Sequence, residues 1–208
     1  MRDAKLMGRL TASATHEMQN ILAIIRESSG LMEDLLAMGG GDFAHADRFK
    51  KGLAVMAEQV ERGMHLAEQL NYCAHAPEPT PSGSEVNEAA RALVGLSRRL
   101  AARGRVVLAL APGRTGLRTA LRAVEVMELL SLAIDCALPL MPQNSELAIA
   151  VEELGGLAVL RLGGPEPAAL RGADCYGELE RLARSLGVGL GPDPNGAGLL
   201  ISLPRAAA

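Results

Sequence analysis

Residues Met7, Leu10, Ala14, Glu17, Ile21, Ile24, Ser28, Leu31, Leu35 and Met38 recur at alternating spacings of three and four, and all but Glu17 and Ser28 are apolar. That period is the seam of a coiled-coil-like helix. Gly39-Gly40-Gly41 supplies the positive-φ freedom that stops a helix, and Asp42 is placed to cap the next one. A second line at the same spacings runs through Phe49, Leu53, Met56, Val60, Gly63, Ala67, Leu70 and Ala74. Together the two lines predict an antiparallel helical hairpin with arms about 45 Å long. Two helices touch along only one line, so a hairpin with wide apolar faces needs a further cover. A second copy, completing a dimeric four-helix bundle, is the expected cover, because isologous pairs are the commonest oligomers; the rest of the chain is the alternative.

Pro77, Pro79, Pro81 and Gly83 forbid a continuing helix. They divide the chain into a hairpin over residues 1–76, a linker over 77–84 and a second domain over 85–208. In that domain Ser84 is expected to cap a helix reaching about residue 103, with Glu85 and Glu88 at its positive end and Arg98, Arg99 and Arg103 toward its negative end. Residues 106–110 suggest a strand, Pro112-Gly113 a turn, and 117–138 a helix. Residues 147–151 and 157–162 flank Gly155-Gly156 as a hairpin. A helix over 176–186, a turn over 192–196 and a last strand over 198–203 follow. The expected class is α+β: the helical hairpin, then a sandwich of helices on one face of a small mixed sheet.

Among 208 residues, 49% hydrophobic content is ample for a core, and the absence of Trp with only two Phe and two Tyr favours helix. A formal charge of −3 and so few rings argue against nucleic-acid binding. Cys73, Cys136 and Cys175 are odd in number and widely spaced, which predicts buried free thiols in a reducing compartment. Arg2, Asp3, Lys5 and Arg9 precede no continuous apolar stretch, and residues 129–141 are too short and interrupted to cross a bilayer. A cytoplasmic protein without a membrane segment is expected.

His16 lies on the first helix beside Ala12, Ser13, Gln19 and Asn20, just off the seam and facing solvent. An exposed imidazole keeps a free nitrogen near neutral pH and is a competent nucleophile. The run His16-Glu17-Met18-Gln19-Asn20-Ile21-Leu22 resembles the phosphoacceptor box of bacterial sensor histidine kinases, usually His-Glu-x-x-Asn-Pro-Leu, on the first helix of their dimerisation hairpin. Ile21 stands in place of the proline, so a straighter helix is expected. The resemblance implies that His16 receives a phosphoryl group, that Glu17 acts as a base or orienting carboxylate, and that Asn20 contacts the transferring phosphate or an attacking water.

The order of elements in the second half is similar to the kinases' ATP-binding domain, but its nucleotide motifs are degraded. Ser131-Leu132-Ala133-Ile134-Asp135-Cys136 stands where the family has Asn-Leu-x-x-Asn-Ala, so the magnesium-binding asparagine appears as Asp135. Leu162-Gly163-Gly164-Pro165-Glu166 stands for Asp-x-Gly-x-Gly, with Leu162 at the adenine-reading aspartate and Glu166 at the second glycine. Residues 166–175 lack the glycine-rich lid, while 187–204 resemble the closing turn and strand. An apolar side chain cannot read the adenine amine, and no other phosphate loop is visible.

This combination resembles the histidine phosphotransferases of bacterial phosphorelays, which share the kinase architecture without using ATP. It implies a homodimer that exchanges phosphate between His16 and the aspartates of response-regulator receiver domains, with a hybrid histidine kinase as a possible donor. No cofactor or metal is expected on this chain, and Mg²⁺ is expected on the receiver. Three alternatives stand beside it: a docking regulator that is never phosphorylated, a phosphatase, and a kinase with a diverged pocket helped by Asp135. A zinc protease helix is excluded because Asn20 stands where its second histidine is needed. His45, His65 and His75 share no ligand spacing. The arginines at 98, 99, 103 and 105 form a basic cluster suited to a solvated helix end or to an acidic receiver edge.

Overall fold

A computed structural model describes residues 2–38, 46–79, 82–113, 115–194 and 196–206. Helices α1 (Arg2–Met38) and α2 (Ala46–His75) form the antiparallel hairpin. The Gly39–Gly41 stop and the Asp42 cap lie outside the described residues. The seam of α1 holds for Leu10, Ala14, Ile21 and Leu35, which are buried, whereas Leu31 is exposed.

On α2 the contact line is rotated from the expected one. Gly52, Gln59, Leu66 and Cys73 are buried at seven-residue intervals, while Leu53, Val60, Ala67 and Ala74 face outward. The line chosen is the one that fits α1 closely: a Cβ on Gly52 would come within 3.1 Å of the Met32 side chain, and one on Gly63 within 3.8 Å of Ile21. The second apolar stripe remains on the outside of the hairpin.

The second domain holds a two-stranded piece, β1 (Ser84–Glu85) against β3 (Arg118–Thr119), and a five-stranded sheet. The strands of the sheet are β2 (Val107–Leu110), β4 (Glu146–Leu154), β5 (Leu157–Gly163), β6 (Gly189–Pro192) and β7 (Gly198–Ser202), in the spatial order β2-β4-β5-β7-β6. The β2–β4 pair is parallel and the other three pairs are antiparallel. A parallel pair needs a crossover, which α4 (Ala123–Ala137) provides. Alternation along β4 turns Leu147, Ile149 and Val151 inward against α3 (Val86–Arg103), α4 and α6 (Tyr176–Ser185). Gly155 (φ 60°) and Gly156 (φ 78°) turn the β4–β5 hairpin, as the sequence predicts.

Three expectations change. Ser84 does not cap α3: it pairs in β1 and its hydroxyl donates to the Leu121 carbonyl at 2.8 Å, so the cap is Glu85, whose carboxylate accepts the Glu88 amide at 2.7 Å. The helix expected over 117–138 starts only at Ala123, because residues 118–119 are held as β3 and the buried Thr119 hydroxyl donates to the Pro204 carbonyl at 2.7 Å. Strand β6 and the short helix α5 (Pro167–Arg171) were not anticipated.

The cysteine expectation is also corrected. Cys136 on α4 and Cys175 just before α6 are joined as a disulfide with a Cα–Cα separation of 5.6 Å, leaving Cys73 free and buried. Their 39-residue separation in sequence hides a contact made by helix packing. One apolar core runs through both parts of the chain: Leu6, Leu10, Ala14, Leu66 and Cys73 of the hairpin share it with Leu93 of α3 and Leu130 of α4. The chain thus covers the base of its own hairpin.

Candidate functional site

His16 is exposed on the wall of α1, one turn after Ser13 and one before Asn20, which is also exposed. Its foundations are fixed by buried contacts on the same helix. Ala14 and Ile21 pack in the core, and the buried Ser13 hydroxyl donates to the Leu96 carbonyl of α3 at 3.0 Å. Thr15 donates back to the Thr11 carbonyl at 2.9 Å. The ring therefore stands on a helix anchored both to α2 and to the second domain, with its own nitrogens open to a visiting molecule.

Glu17 is half-buried and held by Arg62 of α2, whose guanidinium donates to the Glu17 carboxylate and, through its other terminal nitrogen, to Gln59 Oε1 at 2.9 Å. Arg62 was not singled out by the sequence, since a lone arginine on an exposed helix face carries no local signal. The pairing fixes the carboxylate beside His16 as an oriented acceptor. His16, Glu17 and Asn20 are thus successive features of one helix flank, and α2 contributes the cation that holds the middle one.

The residues that the resemblance assigns to a nucleotide pocket are dispersed. Asp135 of α4 meets Arg9 of α1 at 2.5 Å, and the second terminal nitrogen of Arg9 donates to the Ser131 hydroxyl. A cavity of about 110 Å³ remains there, lined by Lys5, Leu6, Arg9 and Glu128 together with Ser131 and Asp135. It is small against the several hundred Å³ of ordinary ligand sites. Leu162 is 1% exposed and turned into the core between Ile149 and Leu199 on the adjacent strands, and Glu166 is exposed at the start of α5. Neither lines the cavity at Asp135. The two positions at which the resemblance expects a magnesium-binding side and its neighbour are instead clasped by an arginine from the hairpin, a residue the sequence pattern offered no reason to choose.

A larger cleft of about 460 Å³ opens between α1, α2 and α3, bounded by Ser13 and Glu17, by Arg62 and His65, and by Arg98 and Arg99. The basic cluster expected at a solvated helix end or an acidic receiver edge is split: the exposed Arg98 and the half-buried Arg99 line this cleft, whereas Arg103 and Arg105 are exposed at the far end of α3.

No protein-family model and no curated protein matches the chain. Solved structures do. The catalytic domain of histidine kinase ThkA in a nucleotide-free form aligns with a TM-score of 0.50 at 13% identity, over 60% of this chain and 97% of that one. A bacterial phosphotransferase aligns at 0.46 and 14% identity over 96% of this chain and 95% of that one. The histidine kinase AdeS of Acinetobacter baumannii aligns at 0.47 and 16% identity over 91% and 98%. The chain has a histidine-kinase-like fold: a helical hairpin followed by an α/β domain with the architecture of the kinase ATP-binding domain.

Proposed function

We propose that the protein is a histidine phosphotransferase of a two-component phosphorelay, working in the cytoplasm as a homodimer. One observation carries the reading: the imidazole of His16 is open to solvent while Asp135 and Ser131, at the place of a nucleotide's metal site, are already engaged by Arg9. A nucleophile is displayed, and the aspartate at the position the resemblance gives to the metal site already has a cationic partner, which favours charging by a route other than ATP.

The chemistry is an exchange between two high-energy phosphoryl carriers. An unprotonated ring nitrogen of His16 attacks the phosphorus of a receiver's aspartyl phosphate; an N–P bond forms, the P–O bond to the aspartate breaks, and the carboxylate leaves. The proton on the other ring nitrogen passes to solvent. In the reverse step the ring takes a proton back from solvent, an aspartate of another receiver attacks the phosphorus, the new P–O bond forms as the N–P bond breaks, and His16 leaves as the neutral imidazole. The receiver brings Mg²⁺ and most of the charge stabilisation, so this chain contributes mainly position. Arg62 holds Glu17 in place beside the ring, and the exposed Asn20 amide is one turn away for a phosphate oxygen.

Incubation with a receiver carrying labelled aspartyl phosphate tests the reading. Acid-labile, base-stable label should appear on the wild type and be absent from His16→Ala. Regulation of the receiver that survives His16→Ala identifies a docking protein instead, and rapid release of inorganic phosphate that depends on Asn20 identifies a phosphatase. Calorimetric titration with Mg-ATP should give no binding heat; saturable heat would establish a diverged kinase.

A further inference from the structure

The cleft between α1, α2 and α3 holds two arginines, Arg98 and Arg99, that transfer at His16 does not use. Its lining includes the guanidinium groups of Arg62, Arg98 and Arg99 and the imidazole of His65, against one carboxylate, that of Glu17. Arg62 already satisfies Glu17, and His65 lies 3.4 Å from Glu68 on its own helix. Arg98 and Arg99 meet no carboxylate of the cleft wall. Arg99 lines the cleft, and its Nη1, which is itself buried, makes no hydrogen bond among the described residues.

We propose that this cleft is a binding site for a small phosphorylated anion. The argument rests on fit. A guanidinium offers planar paired donors matched to phosphate oxygens, and two neighbouring arginines on α3 facing a third on α2 present such donors from two walls. The floor is the close approach of α2 and α3, where Gln69 lies against Gly95: a Cβ on that glycine would meet the Gln69 amide at 2.3 Å. Gln69 and Ser13 add neutral hydrogen-bonding groups to the wall. The volume of about 460 Å³ admits a phosphate carrying an organic part as well as the free anion. Because Ser13 and Glu17 belong to the same turns of α1 as His16, an occupied cleft places negative charge on the flank of the phosphoacceptor.

Titration of the full chain with inorganic phosphate, pyrophosphate and ribose 5-phosphate, at matched ionic strength and with ribose as control, tests the site. Saturable binding with a dissociation constant of about 1 mM or tighter is expected for at least one phosphate. Arg99→Met should weaken it by about tenfold or more, and Arg99→Lys, which keeps charge but loses the fork, should fall between the two. Tighter binding of ribose 5-phosphate than of phosphate identifies an ester as the occupant; the reverse order identifies the free anion. Binding should persist in His16→Ala, so failure of the transfer reading and failure of this one are separable. Circular dichroism and the thermal midpoint of Arg99→Met confirm that it is folded. Absence of saturable binding to any phosphate, or equal binding by folded Arg99→Met, overturns the proposal. So does a defect of Arg99→Met confined to receiver transfer with no phosphate binding by the wild type, which would make the cleft a protein-docking surface.

Discussion

Replacing Leu162 by the aspartate of an adenine-reading pocket would place a carboxylate at a position 1% exposed, between Ile149 and Leu199 of neighbouring strands. A carboxylate there is taken out of water among apolar side chains, so Leu162→Asp is expected to cost at least about 3 kcal/mol in urea denaturation without creating nucleotide binding. A stable variant that binds Mg-ATP would show instead that the pocket is intact but for one side chain. Cys73 gives a second prediction. Burial pushes its thiol from 9 up to about 11, and burial followed by the charges of Glu88 and Glu85 raises Tyr72 to about 12. Both groups stay neutral in the folded chain while the unfolded chain ionises first, so the contribution of Cys73 is complete below about pH 9 and lost by about 11, and that of Tyr72 is complete below about 10 and lost by about 12. For Cys73 this amounts to about 2–3 kcal/mol. The urea midpoint should therefore fall between these values, and Cys73→Ala should flatten part of that slope; an unchanged slope would show that the thiol titrates as if exposed. His16 and Glu17 were legible because they stand in one local run, but Arg9 and Arg62 were not. Their roles come from partners 126 and 45 residues away, at Asp135 and Glu17, which no local pattern records.

Among the elements, the stretch before α3 shows how a segment rich in proline and glycine can be structural. Gly83 has φ 70°, and a Cβ there would fall 2.0 Å from the Thr119 carbonyl oxygen, a backbone atom that cannot turn aside. Gly83→Ala should cost at least about 1–3 kcal/mol, since backbone strain adds to the clash. Gly8→Ala, in a helix with no atom near its Cβ, should stabilise by up to about 1 kcal/mol. Equal denaturation midpoints for the two variants would mean that β1 and β3 do not pair as described. Labelling of thiols after unfolding without reductant should modify one cysteine per chain, and three after reduction, if Cys136 and Cys175 are joined. Periodicity located α1, α2, α3, the β4–β5 hairpin, α6 and β7 because each buries one face of a regular element. It misplaced the start of α4 because Thr119 and Ser84 satisfy a local pairing that hydrophobic spacing does not encode. It missed β6 because Gly189–Pro192 offers few side chains to show a period. The rotated line on α2 has a further cause: that helix carries two apolar stripes, and only packing against α1 decides which faces inward.

For the whole molecule, the two stripes divide the work of covering the hairpin. At its base the second domain packs on it, so Leu6, Leu10, Leu66 and Cys73 lie in one core with α3 and α4. Farther along, Leu22, Leu31, Leu36, Leu53, Val60 and Met64 remain exposed, Leu22 at 58% and Met64 at 54%. The contact of Gly63 with Ile21 sets Leu22 near the level of Val60 and Met64, and that of Gly52 with Met32 sets Leu31 near Leu53. Leu22 and Leu36 share one side of α1, and Leu53, Val60 and Met64 share one side of α2, so exposed apolar side chains recur along both helices, as a second hairpin would require. Sedimentation should find twice the chain mass for the wild type, with a thermal midpoint that rises with protein concentration. Leu22→Asp combined with Val60→Asp should give the single-chain mass and a concentration-independent midpoint while retaining the folded second domain. Both substitutions lie outside the cleft beside Glu17, so the monomeric variant should bind phosphate as the wild type does. A wild type that sediments as a single chain would assign the outer stripe to a different partner and remove the dimer from the proposed mechanism.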